Sequence, residues 1–337
     1  MNTWSKIVGV GSLSMMLLFS SCVRDGLEEC PPVGGESYLR FVYDYNMAFE
    51  DLFHKQVAKM DVFLFDEKGT FIYRMSDECA TGKTFPREYV MQIPEEANAA
   101  TRFVAWPGLH NETRFATSMT PGISTMNDLQ VQLKRYNNNL LKEKMRPLWH
   151  GTAPRASASL DAEGNLLGND TTTISLLKNT NTVRIVLQLL DNTPEIDIRE
   201  FEFTLEAANS AYDCHNNIYA EDRWKFQPYL AYNEDKTCGV VELNTLRLMA
   251  DRDNRLLVTH TPSKETILDI DLNKYINALK VQDYSGMPLQ EYMDREDEYK
   301  VIIFLRRGGD APGKEGWVVA EVRMNPWINR DQDQAGR

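Results

Sequence analysis

The sequence predicts an all-β protein built from two antiparallel β-sandwich domains in tandem, with few short helices. Several short segments alternate apolar and polar residues, which is typical of strands with one buried face and one wet face. Strands and helices do not alternate regularly along the chain, so a doubly wound α/β fold is disfavoured. A stretch rich in Ser, Gly, Asn, Asp and Thr, residues 156–173, separates the two halves and predicts a domain boundary near residue 170.

The first residues, 1–21, are predicted to be a lipoprotein signal peptide. Lys6 is followed by 13 uncharged, mostly apolar residues. That run is shorter than the roughly 20 residues of a membrane-spanning helix and has the length of a signal-peptide core. Two serines then precede Cys22. This order resembles the lipobox of bacterial lipoproteins, in which the cysteine is acylated and becomes the first residue of the mature chain. The alternative is an ordinary signal peptide with a free Cys22.

The remaining chain is long enough for about two domains, since 316 of the 337 residues follow the signal peptide. We expect a lipidated tether over residues 22–36 and an N-terminal β-sandwich over 37–170. A C-terminal β-sandwich is expected over 171–330, and a polar tail over 331–337.

The charge balance excludes two classes of partner. The whole chain carries a net charge of −12, and loss of Lys6 with the signal peptide brings the mature chain to about −13. Nucleic acids and anionic membrane surfaces are bound through clusters of Lys and Arg, and the sequence has no dense cluster of that kind. We therefore expect no nucleic-acid partner.

The first half contains segments with the composition of strands. Residues 62–65 and 70–74 are β-prone runs joined by a short turn that ends in Gly69, which predicts a hairpin. Residues 38–45 alternate imperfectly. Residues 101–106 form another short β-prone run, which a Pro-Gly pair terminates.

The second half has cleaner alternation. Residues 182–190 and 200–207 each place their apolar side chains on one face of a strand. Residues 299–305 are apolar on nearly both faces, which predicts a strand in the middle of a sheet. Only two segments, 127–141 and 272–279, are predicted to form short helices.

The cysteines allow a disulfide framework. The chain has five cysteines, and Cys22 is assigned to the lipid. An even number in an exported chain is compatible with disulfides. The simplest arrangement has one bridge in each half, and the alternative is four free or buried thiols; the four residues are Cys30, Cys79, Cys214 and Cys238.

Several segments resemble one known family. The lipobox, the segments LRFVYDYNM and VAKMDVFLFDEKGTFI, and the late segments LQEYMDREDEYKVIIFLRR and WVVAEVRMNPWINR are similar to fimbrial subunits of Bacteroidales. Among these, the chain resembles the lipidated anchor and minor-tip branch of the fimbrillin family. The resemblance implies two transthyretin-like β-sandwiches and a surface-exposed lipoprotein of the outer membrane. It also implies a fimbrillin rod or other accessory fimbrial subunits as partners, with a role in anchoring or capping the rod.

Subunits of this family assemble by exchanging β-strands, and that implies an assembly strand in this chain. Strand addition to an open sheet edge uses main-chain hydrogen bonds for affinity and alternate side chains for specificity. The last β-prone segment is our candidate, because it lies close to the end of the sequence. Alternation places Val318, Ala320, Val322 and Met324 on one face. The candidate residues are Trp317, Val318, Val319, Ala320, Val322, Met324 and Trp327.

Catalysis, cofactors and metals are not predicted. The sequence lacks GxSxG, HExxH, Walker A and GxGxxG patterns. The acidic run at residues 294–298 lacks the spacing and glycine of a calcium loop. The alternative function is a glycan-binding surface lipoprotein that stacks sugars on exposed aromatics. Aromatic side chains mostly fill sandwich cores, so we expect the tryptophans to be buried.

Overall fold

The computed structural model describes residues 36–109, 115–134, 138–156, 170–190, 195–219, 221–308 and 316–326. The predicted signal peptide and tether, with Cys22 and Cys30, lie outside these residues, and so does Trp327.

The described residues are mostly strand, which confirms the all-β prediction. The strands are β1 (Ser37–Val42), β2 (Lys59–Phe65), β3 (Phe71–Glu78), β4 (Val90–Gln92), β5 (Arg102–Ala105), β6 (Phe115–Ala116), β7 (Val131–Leu133), β8 (Leu140–Leu141), β9 (Trp149–Pro154), β10 (Asp170–Ser175), β11 (Leu177–Lys178), β12 (Thr180–Leu189), β13 (Phe201–Ala207), β14 (Ala211–Tyr212), β15 (Trp224–Phe226), β16 (Leu230–Asn233), β17 (Cys238–Leu246), β18 (Arg255–His260), β19 (Glu265–Asp271), β20 (Glu298–Gly308) and β21 (Gly316–Pro326). The α-helices are α1 (Phe53–Gln56), α2 (Leu272–Asp283) and α3 (Leu289–Arg295).

The first sandwich packs a three-stranded sheet, in the order β10-β1-β4, against a five-stranded sheet in the order β11-β9-β5-β2-β3. The predicted hairpin is present as β2 and β3, and Gly69 in its turn has a φ of +80°. Strand β2 is buried on both faces. Val62 and Leu64 fill the core of the first sandwich, and Phe63 and Phe65 join a second core. The apolar run at residues 62–65 of this strand therefore reflects two buried faces.

The second sandwich packs a sheet in the order β16-β17-β12-β20-β21 against a sheet in the order β19-β18-β13-β15-β8. Strand β20 has neighbours on both sides, as its apolar sequence predicts. Along β13, Phe201, Phe203 and Leu205 point into the core and Glu202 is exposed, so the predicted alternation is confirmed. A fifth, small sheet, in the order β14-β7-β6, lies beside the second core.

Two features of the topology differ from the expectation. Most strand pairs are antiparallel, but β1–β10, β12–β20 and β8–β15 are parallel. Strand β10 starts at residue 170 and pairs with β1, and Ile174 is fully buried in the first core. The chain therefore enters the second sandwich at β12, about ten residues after the expected boundary.

The helix predicted over residues 127–141 is wrong. The structure has one 3-10 turn, Met126–Asp128, followed by β7 and β8. A capping box between Thr125 and Asp128 holds this single turn. Val131 and Leu133 are then buried with the exposed Gln132 between them, a strand period that pairing with β6 and β14 stabilises. The helix predicted over residues 272–279 is confirmed as α2, whose N-cap Asp271 accepts a hydrogen bond from the Asn273 amide.

One face of the five-stranded sheet of the first sandwich packs into the core of the second sandwich, and the first sandwich has a separate core between its two sheets. Trp106 of the first sandwich lies with its ring centroid 5.9 Å from that of Tyr212, and both residues are fully buried. Nearby, Asn179 and Asn216 exchange amide hydrogen bonds at 2.6 and 3.0 Å. This shared packing fixes the position of the second sandwich and of its edge strand β21 relative to the first.

Candidate assembly strand at a sheet edge

Strand β21 is the last strand in the order β16-β17-β12-β20-β21, so it forms one edge of that sheet. It pairs antiparallel with β20 from Tyr299↔Pro326 to Gly308↔Gly316. Its other edge pairs with no strand among the described residues. Helix α2 and strand β19 also pack against it. An edge strand of this length presents a row of main-chain donors and acceptors, which is the chemistry that strand addition needs.

A β-bulge changes which residues of β21 face the core. Leu305 pairs with Val319 and Phe304 pairs with Glu321, so Ala320 is the extra residue. A bulge shifts the alternation by one residue. The predicted face of Val318, Ala320, Val322 and Met324 is therefore wrong before the bulge: Val319 packs against the core, whereas Ala320 is exposed. After the bulge, Val322 and Met324 face the core as predicted.

Trp317 fixes the start of β21. Its side chain is only 4% exposed. The Arg307 guanidinium lies 4.0 Å from the centre of its ring, and the Phe201 ring centroid lies at 5.7 Å. His260 approaches edge-on at 6.3 Å. The sequence did not single out Arg307, although its place beside the β20–β21 connection is the signal that could have indicated it. Cation–π and aromatic contacts of this kind stabilise a hairpin end.

The outer face of β21 after the bulge is charged. Arg323 forms a two-pronged ion pair with Glu321, at 2.6 and 2.9 Å, and lies 5.0 Å from the centre of the Phe304 ring. Hydrogen bonding from Arg323 lowers the pKa of the Glu321 carboxyl. Both side chains are about half exposed. Charges on an exposed edge strand oppose indiscriminate pairing with other strands.

The three described cysteines form no disulfide with one another. No two of Cys79, Cys214 and Cys238 are bonded to each other, so the bridge between Cys214 and Cys238 is not formed, while Cys30, the predicted partner of Cys79, lies outside the described residues. The physical reason is their separation by the sheet: Cys214 packs in the large core, and Cys238 packs in a small cluster with Val186 and Val240. Burial raises the pKa of the Cys238 thiol to about 11. At neutral pH this thiol is protonated and unreactive.

A disulfide between Cys30 and Cys79 stays a prediction. The fold sets a long distance between Cys79 and Ser37 that the chain before Ser37 would have to span. Cys79 follows β3 at the end of the sheet where β2 begins, whereas Ser37 lies at the end where β2 finishes. The seven residues from Cys30 to Ser37 reach about 25 Å when fully extended. A seven-residue strand such as β2 is itself about 23 Å long, so almost no slack remains.

The aromatic side chains do not form a tryptophan platform in the described part of the chain. Trp106, Trp149, Trp224 and Trp317 are all at most 4% exposed, which confirms that they fill the cores. The exposed aromatics are dispersed over separate elements: Phe49, Tyr73, Tyr219 and Tyr232.

The described residues also lack a metal-binding cluster and a membrane-spanning helix. They contain no group of three or more His, Cys, Asp and Glu side chains able to hold a metal ion. None of their helices combines the length and apolar character required to cross a bilayer.

These features define a tandem β-sandwich protein with an open sheet edge among its described residues, and solved structures of similar fold include candidate adhesins. A crystal structure from Bacteroides thetaiotaomicron, described as a candidate polysaccharide-binding protein, is 28% identical, has a TM-score of 0.71, and covers 89% of this chain and 99% of its own. A candidate adhesin from the same species is 26% identical with a TM-score of 0.71, over 89% and 98% of the two chains.

The sequence family is defined by a further match. The model of the fimbrillin-A associated anchor proteins Mfa1 and Mfa2 matches residues 27–333, and the chain belongs to this family. The minor fimbrium anchoring subunit Mfa2 of Porphyromonas gingivalis is 23% identical over 291 residues, covering 83% of this chain and 85% of that protein. The family is one of structural fimbrial proteins that associate with other fimbrial subunits.

Proposed function

We propose that this protein is a lipid-anchored outer-membrane subunit that anchors or caps a fimbrial rod. In this proposal, acylated Cys22 holds the chain in the outer membrane, and a rod or accessory subunit adds a strand to β21. The observation that supports the proposal is the long edge of β21, which pairs with no other described strand, in a chain of the fimbrial anchor family.

The packing of β21 favours one of two modes of assembly. It favours addition of a partner's strand to β21 over transfer of β21 from its own sheet to a partner. Detachment of β21 would expose Trp317, Val322 and Met324, which face the core. Each buried side chain of this size contributes about 1.5–3 kcal/mol. Detachment would also break the pairing with β20. Addition of a strand to the free edge disrupts none of these contacts.

Site-specific photo-crosslinking tests the edge. A benzophenone amino acid replaces Glu321, which is exposed on β21, and a matched variant carries it at Lys68, which is exposed in the turn between β2 and β3. We expect the rod subunit to be crosslinked from position 321 and not from position 68. A rod subunit that copurifies but is not crosslinked from position 321 would place assembly on another edge. The absence of any copurifying fimbrial subunit would overturn the fimbrial role itself.

Mass spectrometry of the mature N-terminal peptide tests the anchor. Acyl chains add about 0.8 kcal/mol of membrane binding for each buried CH₂, so two or more chains hold a protein durably. We expect an acylated Cys22 in the wild type and release from the membrane in Cys22→Ala, with Cys30→Ala as the matched control. An unmodified Cys22 would remove the anchor from the proposal and leave the edge strand untouched.

A further inference from the structure

We propose that strand β16 is a self-association edge, at which two copies of this chain pair antiparallel and join their sheets into one. Strand β16 is the last strand on one side of the order β16-β17-β12-β20-β21, at the edge opposite β21. Its outer side pairs with no other described strand. The proposal concerns a different edge from β21 and does not rest on the fimbrial role.

The residues of β16 are exposed and uncharged. All four residues of Leu230–Asn233 are exposed, with Leu230 at 41% and Tyr232 at 37%. The longer edge strands β3, β19 and β21 all carry acidic or basic side chains. Charged side chains protect an open edge from pairing with another strand, and the sequence of β16 lacks this protection. Strand β16 is therefore an edge that a second strand can approach closely.

The apolar surface of β16 continues across the outer face of its sheet. One row of cross-strand neighbours runs inward from the edge and consists of Tyr232, Val240, Val186 and Ile302. Val240 and Val186 are buried within this row, and Ile302 packs against them. Arg184 donates to the Tyr232 hydroxyl at 3.0 Å, which holds the phenol ring at the outer end of the row. A second copy joined at β16 would continue this row with its own.

The hydrogen bonds between β16 and β17 set the register of such a pair. The Glu234 amide donates to the Cys238 carbonyl at 2.8 Å. The main-chain groups of an antiparallel strand point to alternate sides from one residue to the next, so those of Tyr232 face β17 and those of Ala231 and Asn233 face outward. A two-fold axis beside Tyr232 pairs Ala231 of each copy with Asn233 of the other and uses all these outward groups. Tyr232 then lies opposite its counterpart in the second copy, and cross-strand aromatic pairs stabilise sheets.

Charges beyond the two ends of β16 favour an antiparallel second copy as the partner. Glu234 and Asp235 follow the strand and are exposed. Before the strand, the exposed Lys144 holds its ammonium 5.7 Å from the centre of the Tyr229 ring, and residues 142–144 contain two lysines and one glutamate. In the two-fold register, Asp235 of one copy lies opposite Tyr229 of the other, so its carboxylate approaches Lys144. A parallel pair would bring the two acidic ends together, and like charges directly opposite each other are destabilising.

Small-angle X-ray scattering of the purified full chain measures the association, with Cys22→Ala in every protein so that acyl chains play no part. Interfaces smaller than about 1,200 Å² are weak and transient, so we expect dimers to form in a concentration series that reaches about 1 mM. Tyr232→Glu places two carboxylates opposite each other and should weaken dimerisation at least about tenfold. Tyr73→Glu, at an exposed tyrosine of the edge strand β3, should leave it unchanged. A chain that stays monomeric at about 1 mM would overturn the proposal, and so would equal weakening in both variants, which would indicate net-charge repulsion alone.

Disulfide trapping tests the register. Residues of a non-hydrogen-bonded antiparallel pair have Cα atoms about 4.5 Å apart, within the range of about 4.4–6.8 Å that a disulfide spans. We expect oxidation of Tyr232→Cys to link position 232 of the two copies, identified by mass spectrometry of the linked peptides. Ala231→Cys is the matched control, because its two positions lie two residues out of register and more than about 7 Å apart. Linkage in Ala231→Cys and not in Tyr232→Cys would overturn this register, and linkage of Tyr232→Cys only to a different protein in intact membranes would overturn self-association.

Discussion

His150 is a titratable side chain that the fold holds neutral at the junction of the two sandwiches. Its residue is 5% exposed, its ring lies edge-on to Trp106 at 4.6 Å, and its Nε2–H donates to the Cys214 carbonyl at 3.0 Å. Burial lowers the pKa of His150 to about 4. The neutral imidazole is therefore part of the packing between domains.

The pKa of His150 predicts a loss of stability in acid. Between pH 6.5 and about 4 the unfolded chain binds a proton at this residue and the folded chain does not, so the free energy of unfolding falls as the pH falls. The loss at pH 4.5 relative to pH 7 amounts to about 2–3 kcal/mol. Urea unfolding of the wild type and of His150→Gln at both pH values measures it. We expect this extra loss to disappear in His150→Gln and to persist in the exposed control His215→Gln; a pH dependence equal in all three proteins would contradict it.

At the scale of single elements, β21 shows how much of a strand can be predicted from its local sequence pattern. Its existence and its position near the end of the fold follow from its β-prone sequence. The face of its first half could not be predicted, because the bulge at Ala320 depends on the register with β20. Residues 127–141 fail for a related reason. Their leucines fit a helical period, whereas Val131 and Leu133 fit a strand period, and pairing with β6 and β14 decides between them.

Removal of the Trp317 side chain is expected to loosen β21. Truncation of a buried Trp to Ala costs about 3–5 kcal/mol, and here it also removes the contacts with Arg307 and Phe201. We expect Trp317→Ala to accelerate amide hydrogen exchange throughout β21 and β20. Val318→Ala, on the same strand but half-buried, should change exchange little. Unchanged exchange in Trp317→Ala would show that the ladder with β20 holds β21 without this anchor.

At the scale of the whole molecule, the number of sandwiches could be predicted from the sequence, but the way they pack against each other could not. Alternation of apolar residues lies within short segments, so the strands of each sandwich are visible in the sequence. The pairing of β1 with β10 joins residues more than 130 positions apart, and nothing local indicates it.

A buried ion pair ties α3 into the junction, where α3 also packs beside β11. Arg247 donates to both oxygens of Asp294 at 2.7 Å, and both side chains are mostly buried. Removal of one partner leaves a buried charge, at a cost of about 3–5 kcal/mol. We expect Asp294→Asn to lower the free energy of unfolding by about that amount, and Glu321→Gln, from an exposed pair, to change it by at most about 1 kcal/mol. Equilibrium urea unfolding compares the two, and equal effects would contradict this reading of the junction.

The parallel pairing of β1 with β10 has a mechanical consequence. A pulling force applied to the chain before Ser37 acts on β1 in the direction of its N-terminal end. The second sandwich follows β10 in the chain, so its resistance acts on β10 in the direction of the C-terminal end of that strand. Because the two strands run in the same direction, the load acts along their axes in opposite senses. The six register positions from Ser37↔Asp170 to Val42↔Ser175 are then strained together in shear. When the chain is held at its N-terminal side, all six paired positions of β1 and β10 therefore resist the pulling force together.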